Sequence, residues 1–426
     1  YSYAYIRNAN DIRLFASLSE RAGYTIITFN ANASTVSVKK DLEGVTYKKG
    51  QEITLLELCD IIDNIDNAFD KYFEEAKIDK PRAKRMCGYT TWYNYYTSVT
   101  EEIVERDLEA IAKLGSKIDI FQVDDGYERT VGDWLYHDEK KFPSGMKLIA
   151  DNIHKNDMLA GLWLAPFAAT PKSYIYNKHK DWFVKNKNGK IPFASHNWGG
   201  FYALDIYNNE VRQYLKEVFD TVLNVWGYDM VKLDFLYACC IIPFNGKSRG
   251  EIMCDAMDLI RELCGDKLIL GCGVPLAPAF GKVDFCRIGA DMALSWGKKP
   301  FSREDVSTKH ALLNTIFRRE LDGRAFLNDP DVFLLRDNNI KMSFEQRKLI
   351  AETASLFGNL LFVSDDVSTY NSNQKDCFIN VTTRNKADIN YVNMDSDGDI
   401  SIKYTLDGEK KGYCFNINSG DKKVLI

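Results

Sequence analysis

Apolar residues recur along this chain with a periodicity that changes character twice. In the first 80 residues, stretches 24–30 and 35–39 are rich in β-branched and aromatic residues, the composition of short strands. Over 53–76, Leu55, Leu58, Ile61, Ile62 and Ile65 fall at helical spacing, which predicts a helix, and 75–85 reads as a polar linker. From Cys87 a regular alternation begins. Short apolar runs lie at 87–92, 117–124, 158–165, 229–235, 267–272, 283–288, 325–328 and 360–363. Amphipathic patterns at 100–114, 144–155, 209–225, 249–264, 302–319 and 344–356 separate most of them. After 367 the period shortens again: 376–383 and 399–405 alternate like antiparallel strands, with turns at Asp407-Gly408 and Ser419-Gly420.

Strands that are apolar on both faces and separated by helices make a parallel sheet covered by those helices. Eight such units over roughly 280 residues fit a closed barrel better than an open doubly wound sheet. A dinucleotide-binding unit needs a Gly-rich turn after its first strand, and the run from Cys87 to Trp92 has none. The expected fold class is α/β, with a (β/α)8 TIM barrel over 86–366. An N-terminal β-rich segment with a helix precedes it over 1–80, resembling the tail of a β-rich domain whose earlier strands are absent. A small C-terminal antiparallel β domain follows over 367–426.

Composition narrows the function. The net charge is −5, and nucleic-acid binding demands clustered Lys and Arg. The basic run from Lys80 to Arg85 reads as solvated linker, so no nucleic-acid partner is expected. No apolar run approaches the ~20 residues of a membrane-spanning helix, so no membrane partner is expected either. The ten cysteines include no C-x-x-C and the five histidines no H-x-x-x-H, which argues against a metal site. Reduced, buried thiols of a cytoplasmic protein are the default reading. The chain opens on Tyr1 rather than Met, as it would if an upstream piece were missing. A homo-oligomer stays open.

Catalytic groups of such a barrel sit where strands end on its C-terminal face. That rule selects Asp124 and Asp125 after the second strand, Trp163 on the third, Lys232 and Asp234 on the fourth, Arg287 and Asp291 on the sixth, and Asp329 and Asp331 on the seventh. Period-two spacing points Lys232 and Asp234 to the same side of their strand, and a cation beside a carboxylate keeps it ionised, as a nucleophile requires. The alternative is an ion pair closing the barrel end. Arg287 and Asp291 could hold a hydroxyl and donate a proton, or simply brace a loop. Asp124 and Asp125 could accept from neighbouring sugar hydroxyls or cap a turn. Two carboxyl groups from different strands facing one pocket are what glycosidic cleavage needs, without metal or organic cofactor. Trp92, Trp134, Trp163, Trp198 and Trp296 lie near loop ends of this face, as sugar-stacking residues would, though any one of them taken alone fits core better than platform.

These residues carry a resemblance. The ordered motifs CGYTTWY (87–93), FQVDDGY (121–127), GDW (132–134), GLWLAPF (161–167), KLDFLYA (232–238), LGCGVPL (270–276), RIGAD (287–291) and NDPD (328–331) are similar to those of α-galactosidases of glycoside hydrolase family 36, the melibiases. The resemblance implies a retaining hydrolase releasing terminal α-linked galactose, with Asp234 as nucleophile and Asp291 as general acid/base. It implies that Lys232 and Arg287 hold the sugar, Arg287 near the 2-hydroxyl, while Asp124 and Asp125 take O4 and O6. Trp92 and Trp163 would line the galactose subsite with Trp134 close by, and Cys272 would sit on the fifth strand near the sugar. An α-N-acetylgalactosaminidase, or a galactosyl transferase of the raffinose- or stachyose-synthase kind, would use the same carboxylates. The loop 237–246 is one place where the 2-substituent would be read.

Overall fold

The computed structural model describes residues 2–8, 11–297 and 306–425. Strands Tyr3–Asn8, Asp11–Ser17 and Leu58–Asn64 form an antiparallel sheet, and helix Ile65–Glu75 follows directly. Phe69, Tyr72 and Phe73 of that helix are buried in one core with Leu14, Cys59 and Ile61 of the sheet. The helix expected over 53–76 is therefore corrected: 53–57 is irregular, 58–64 is a strand, and the helix begins only at Ile65. Within 58–64, Cys59 and Ile61 face inward while Asp60 and Ile62 face out, a period of two that the apolar spacing had masked. Asn64 caps the helix through Asn67 N–H. Strands Tyr24–Asn30 and Thr35–Asp41 form a separate hairpin.

The barrel strands are Met86–Thr90, Ile120–Val123, Leu159–Leu164, Met230–Leu233, Leu268–Gly271, Phe285–Arg287, Leu327–Asp329 and Leu360–Val363. Neighbours in the chain pair in parallel from the first strand to the seventh, and the eighth pairs with the first through Leu360 and Met86. The seventh strand is broken. It resumes as Val332–Phe333 after Pro330 and Asp331, and only this second half pairs with the eighth strand. Asn359 N–H bonds the carbonyl of Asn328 and completes the ring. Helices Glu101–Ala112, Met146–His154, Asn209–Asp220, Arg249–Cys264, Thr308–Phe317 and Phe344–Phe357 match the six amphipathic patterns. Residues 302–305 of the fifth pattern lie outside the described residues. Residues 168–203, between the third strand and its helix, form an excursion over the barrel mouth, pinned by the pairing of Ala168–Ala169 with Tyr202–Ala203.

A further correction falls at 376–383. This stretch is the body of a helix, Ser372–Thr383, opened by a capping box between Asn371 and Gln374. Its buried residues Gln374, Cys377, Phe378 and Val381 have helical spacing, and packing against the barrel outweighs their strand-like composition. The antiparallel sheet begins after it, with strands Asp388–Met394, Asp399–Leu406, Glu409–Asn416 and Lys422–Val424. Trp296 is buried beneath this sheet and donates its indole N–H to the Ile417 carbonyl at 3.1 Å, so it anchors the sheet rather than facing a sugar. All ten cysteines are free, and nine are buried. No helix among the described residues is long and apolar enough to cross a membrane.

The hairpin reaches the barrel at Gly250, at the start of helix Arg249–Cys264. A Cβ there would lie 2.6 Å from the Gly23 carbonyl carbon and the Tyr24 nitrogen, backbone atoms with nowhere to go. Gly250→Ala is expected to lower unfolding stability by about 1–3 kcal/mol. Urea denaturation monitors this, and an unchanged midpoint would contradict the packing described.

Candidate active site

A cavity of about 240 Å³ opens where the barrel strands end, and it gathers residues from across the ring. The first strand's loop contributes Trp92, Tyr93 and Thr97, the second strand's end Asp124 and Asp125, and the third Trp163. Asn197 and Trp198 come from the excursion, Lys232, Asp234 and Phe235 from the fourth strand's end, and Arg287 and Asp291 from the sixth. Period-two spacing does place Lys232 and Asp234 on this one cavity.

The ion pair differs from the expected one. Lys232 Nζ bonds Asp124 Oδ2 at 2.8 Å, across the barrel, rather than Asp234. Gln122 Nε2 also reaches that oxygen at 2.7 Å, and Asp124 Oδ1 accepts from Asp125 N–H. Burial is the largest single influence and opposes the Lys232 charge, but the acidic neighbours, Asp124 foremost, together outweigh it and raise the ammonium above its ordinary value. Asp234 is held instead by N–H donors: Trp163 Nε1 at 3.2 Å to Oδ2 and its neighbour Phe235 N–H at 2.7 Å to Oδ1.

Arg287 is shared among three carboxylates. Its Nη1 bonds Asp291 at 3.0 Å, its Nε bonds Asp329 at 2.9 Å, and its Nη2 lies 2.8 Å from Asp331. The break in the seventh strand makes this possible. Asp331 adopts φ +79°, and Asp329 Oδ1 accepts its N–H. The side chain of Asp291 is 46% exposed and lines the cavity, while the protein packed around that cavity still partly desolvates its carboxyl. Burial raises its carboxyl above the ordinary range against the pull of Arg287, and repulsion from Asp234 adds to the rise.

Comparison with known proteins points to one family. The melibiase family profile matches residues 62–245. An α-galactosidase of Lactobacillus acidophilus is 29% identical over 150 residues, covering 34% of this chain and 20% of that protein. An Escherichia coli α-galactosidase is 23% identical over 239 residues, 53% of this chain and 32% of its own length. The alignments thus span a third or less of these relatives. Among solved structures, an α-galactosidase from Thermus thermophilus in complex with p-nitrophenyl α-D-galactopyranoside superposes with TM-score 0.77 at 25% identity, covering 96% of this chain and 80% of that one. The family 36 α-galactosidase AgaA of Geobacillus stearothermophilus shares the fold, with TM-score 0.66 at 16% identity over 97% of this chain and 63% of its own. The chain is similar to the melibiases, the α-galactosidases of family 36.

Ten residues follow from the resemblance to the motifs of that family, and eight of them line the cavity: Trp92, Asp124, Asp125, Trp163, Lys232, Asp234, Arg287 and Asp291. Trp134 does not. It is fully buried behind Trp163, ring centroids 5.8 Å apart, and supports that wall from outside. Cys272 is likewise buried beside the lining, close enough that Asp234 and Arg287 act on its thiol. The loop 237–246 does not line the cavity either; it packs toward residues 44–46 of the N-terminal segment. Sequence reasoning missed Tyr93, Thr97, Asn197 and Phe235 in the wall and Glu128 behind Asp125, whose residue types carry no strand-end carboxylate signal.

Asp331 carries a linkage that stability measurements can read. Burial lifts its carboxyl from the ordinary 3.8 to about 6, against the pull of Arg287. The folded protein therefore binds this proton more tightly than the unfolded chain. The stabilisation is complete below the unfolded value and is lost as pH rises through the folded one. Asp331→Asn is expected to flatten the decline in unfolding free energy between pH 3.8 and about 6. Denaturant titrations at several pH values check this, and an undiminished slope in the variant would refute it.

Proposed function

We propose that the chain is a retaining glycoside hydrolase that releases terminal α-linked galactose by double displacement. The observation that carries this reading is one cavity holding two carboxyl groups in opposite surroundings. Asp234 is fixed by N–H donors, as suits an anion, while Asp291 is pushed toward its protonated form. In the first step the Asp234 carboxylate attacks the anomeric carbon, the glycosidic C–O bond breaks, and the Asp291 proton goes to the departing oxygen. In the second, Asp291 takes a proton from water, the resulting hydroxide attacks the anomeric carbon, and Asp234 leaves. Two inversions give net retention. No step requires a metal or organic cofactor.

The sugar hydroxyls meet acceptors in Asp124 and Asp125 and donors in Lys232 and Arg287, with Arg287 nearest the 2-hydroxyl. Trp92 and Trp163 form apolar walls for the ring faces, Trp134 backs Trp163, and Cys272 lies close by at the fifth strand's end. Galactosides as substrate class find support in the Thermus thermophilus neighbour, whose solved complexes hold p-nitrophenyl α-D-galactopyranoside and stachyose.

Asp234→Ala is expected to lower kcat about 10³-fold or more on any α-galactoside. Asp291→Ala is expected to lower kcat/KM, which reports the first step, about 10²-fold or more on an oligosaccharide and distinctly less on p-nitrophenyl α-galactoside, whose leaving group needs little protonation. Steady-state kinetics on both substrates, with the p-nitrophenyl α-N-acetylgalactosaminide as comparison, test the assignment. Native-like activity in Asp234→Ala, or equal losses on both leaving groups in Asp291→Ala, would overturn it.

A further inference from the structure

Behind Asp125, outside the cavity, lies a carboxyl group that the proposed mechanism does not use. Glu128 closes the turn that follows the second barrel strand and is only 8% exposed. Its Oε2 accepts the Gly126 N–H at 3.1 Å, and its carboxyl hydrogen-bonds that of Asp125. Asp125 Oδ2 in turn accepts the Trp198 indole N–H at 2.8 Å. A carboxylate is acceptor-only, so two carboxyl groups bond each other only if one keeps a proton.

The surroundings supply no cation to replace that proton. Lys232 is committed to Asp124, and Lys141 Nζ donates to the carbonyls of Gly126 and Thr97. Neither Asp125 nor Glu128 forms an ion pair among the described residues. The groups that face the pair are Asp124 on its own turn, Asp234 from the fourth strand, and the phenol of Tyr127. All are anionic or neutral. Asp125 has an indole donor and opens on the cavity, whereas Glu128 has only backbone N–H donors and no cavity face. The anion therefore belongs on Asp125 and the proton on Glu128, and burial pushes the Glu128 carboxyl well up, in the same sense.

Trp198 adds an independent reason for a firm anchor. It lines the cavity in a left-handed conformation, φ +55°, which a bulky residue adopts only when its surroundings hold it there. The Asp125 bond is part of that hold.

We propose that Glu128 is a positioning residue: as a neutral acid it donates a hydrogen bond to Asp125, fixing Asp125 and, through the indole bond, Trp198 in the geometry that receives the sugar. This rests on the reading of Asp125 as a sugar ligand. The experiment compares Glu128→Gln, Glu128→Met, Glu128→Ala and Asp125→Ala by calorimetric binding of galactose and by kinetics on p-nitrophenyl α-galactoside. Gln keeps the donor to Asp125 and the acceptor for Gly126, while Met fills the space with neither. Glu128→Gln is expected to bind galactose within about threefold of native, and Glu128→Met and Glu128→Ala about tenfold or more weakly, with KM moving more than kcat. Native-like affinity in Glu128→Met, or a loss in Glu128→Gln as large as that in Asp125→Ala, overturns the proposal. Should neither apolar-type variant fold, Glu128→Gln still decides by that second criterion. Undiminished affinity in Asp125→Ala would instead overturn the sugar-binding reading itself.

Discussion

Six aspartates, at 124, 125, 234, 291, 329 and 331, converge on the mouth of the barrel around two buried cations, Lys232 and Arg287. Burying a carboxylate is costly unless it is paired or hydrogen-bonded, and two cations cannot neutralise six. Lys232 is spent on Asp124, and Arg287 is divided among Asp291, Asp329 and Asp331. Asp234 makes do with N–H donors and Asp125 with an indole and a second carboxyl. Burial, the largest cause in each, raises the carboxyl groups of Asp125, Asp291 and Asp331 above their ordinary range. An acid that holds its proton near an anion that does not is the pairing glycosidic cleavage asks for.

The barrel builds this arrangement from strand ends, and two local departures from ideal geometry complete it. The seventh strand breaks at Pro330, and Asp331 turns through a positive φ, which brings both Asp329 and Asp331 onto one guanidinium. Phe235 also takes a left-handed conformation, immediately after Asp234, and packs its ring on Trp198 at 4.7 Å. The backbone that carries Asp234 is thereby tied to the cavity wall that the excursion supplies.

Much of this was legible in the order of residues. Wholly apolar runs bounded by polar turns located all eight barrel strands, because a strand covered on both faces has no polar side to blur the signal. Local composition failed where tertiary contacts decide. Residues 376–383 look like a strand but bury Cys377, Phe378 and Val381 as a helix, and 58–64 looks helical but pairs with 11–17 as a strand. In the site, Lys232 and Asp234 were correctly placed on one face, yet the lysine's partner comes from two strands away. Sequence spacing reports which side chains share a face and says nothing of which neighbour across the ring lies nearer. Trp134 and Trp296 show the same limit: a tryptophan near a strand end stacks on a sugar, supports a wall or anchors a domain according to packing alone.

The account turns on Asp234 acting as a nucleophile with Asp291 as acid and then base, and stereochemistry reads that division of labour directly. Proton NMR of p-nitrophenyl α-galactoside hydrolysis, followed from the first turnovers, resolves the anomer released before mutarotation. Double displacement at these two carboxyl groups predicts α-galactose as the initial product. Initial release of β-galactose would mean a single inverting displacement and would contradict the assignment of Asp234.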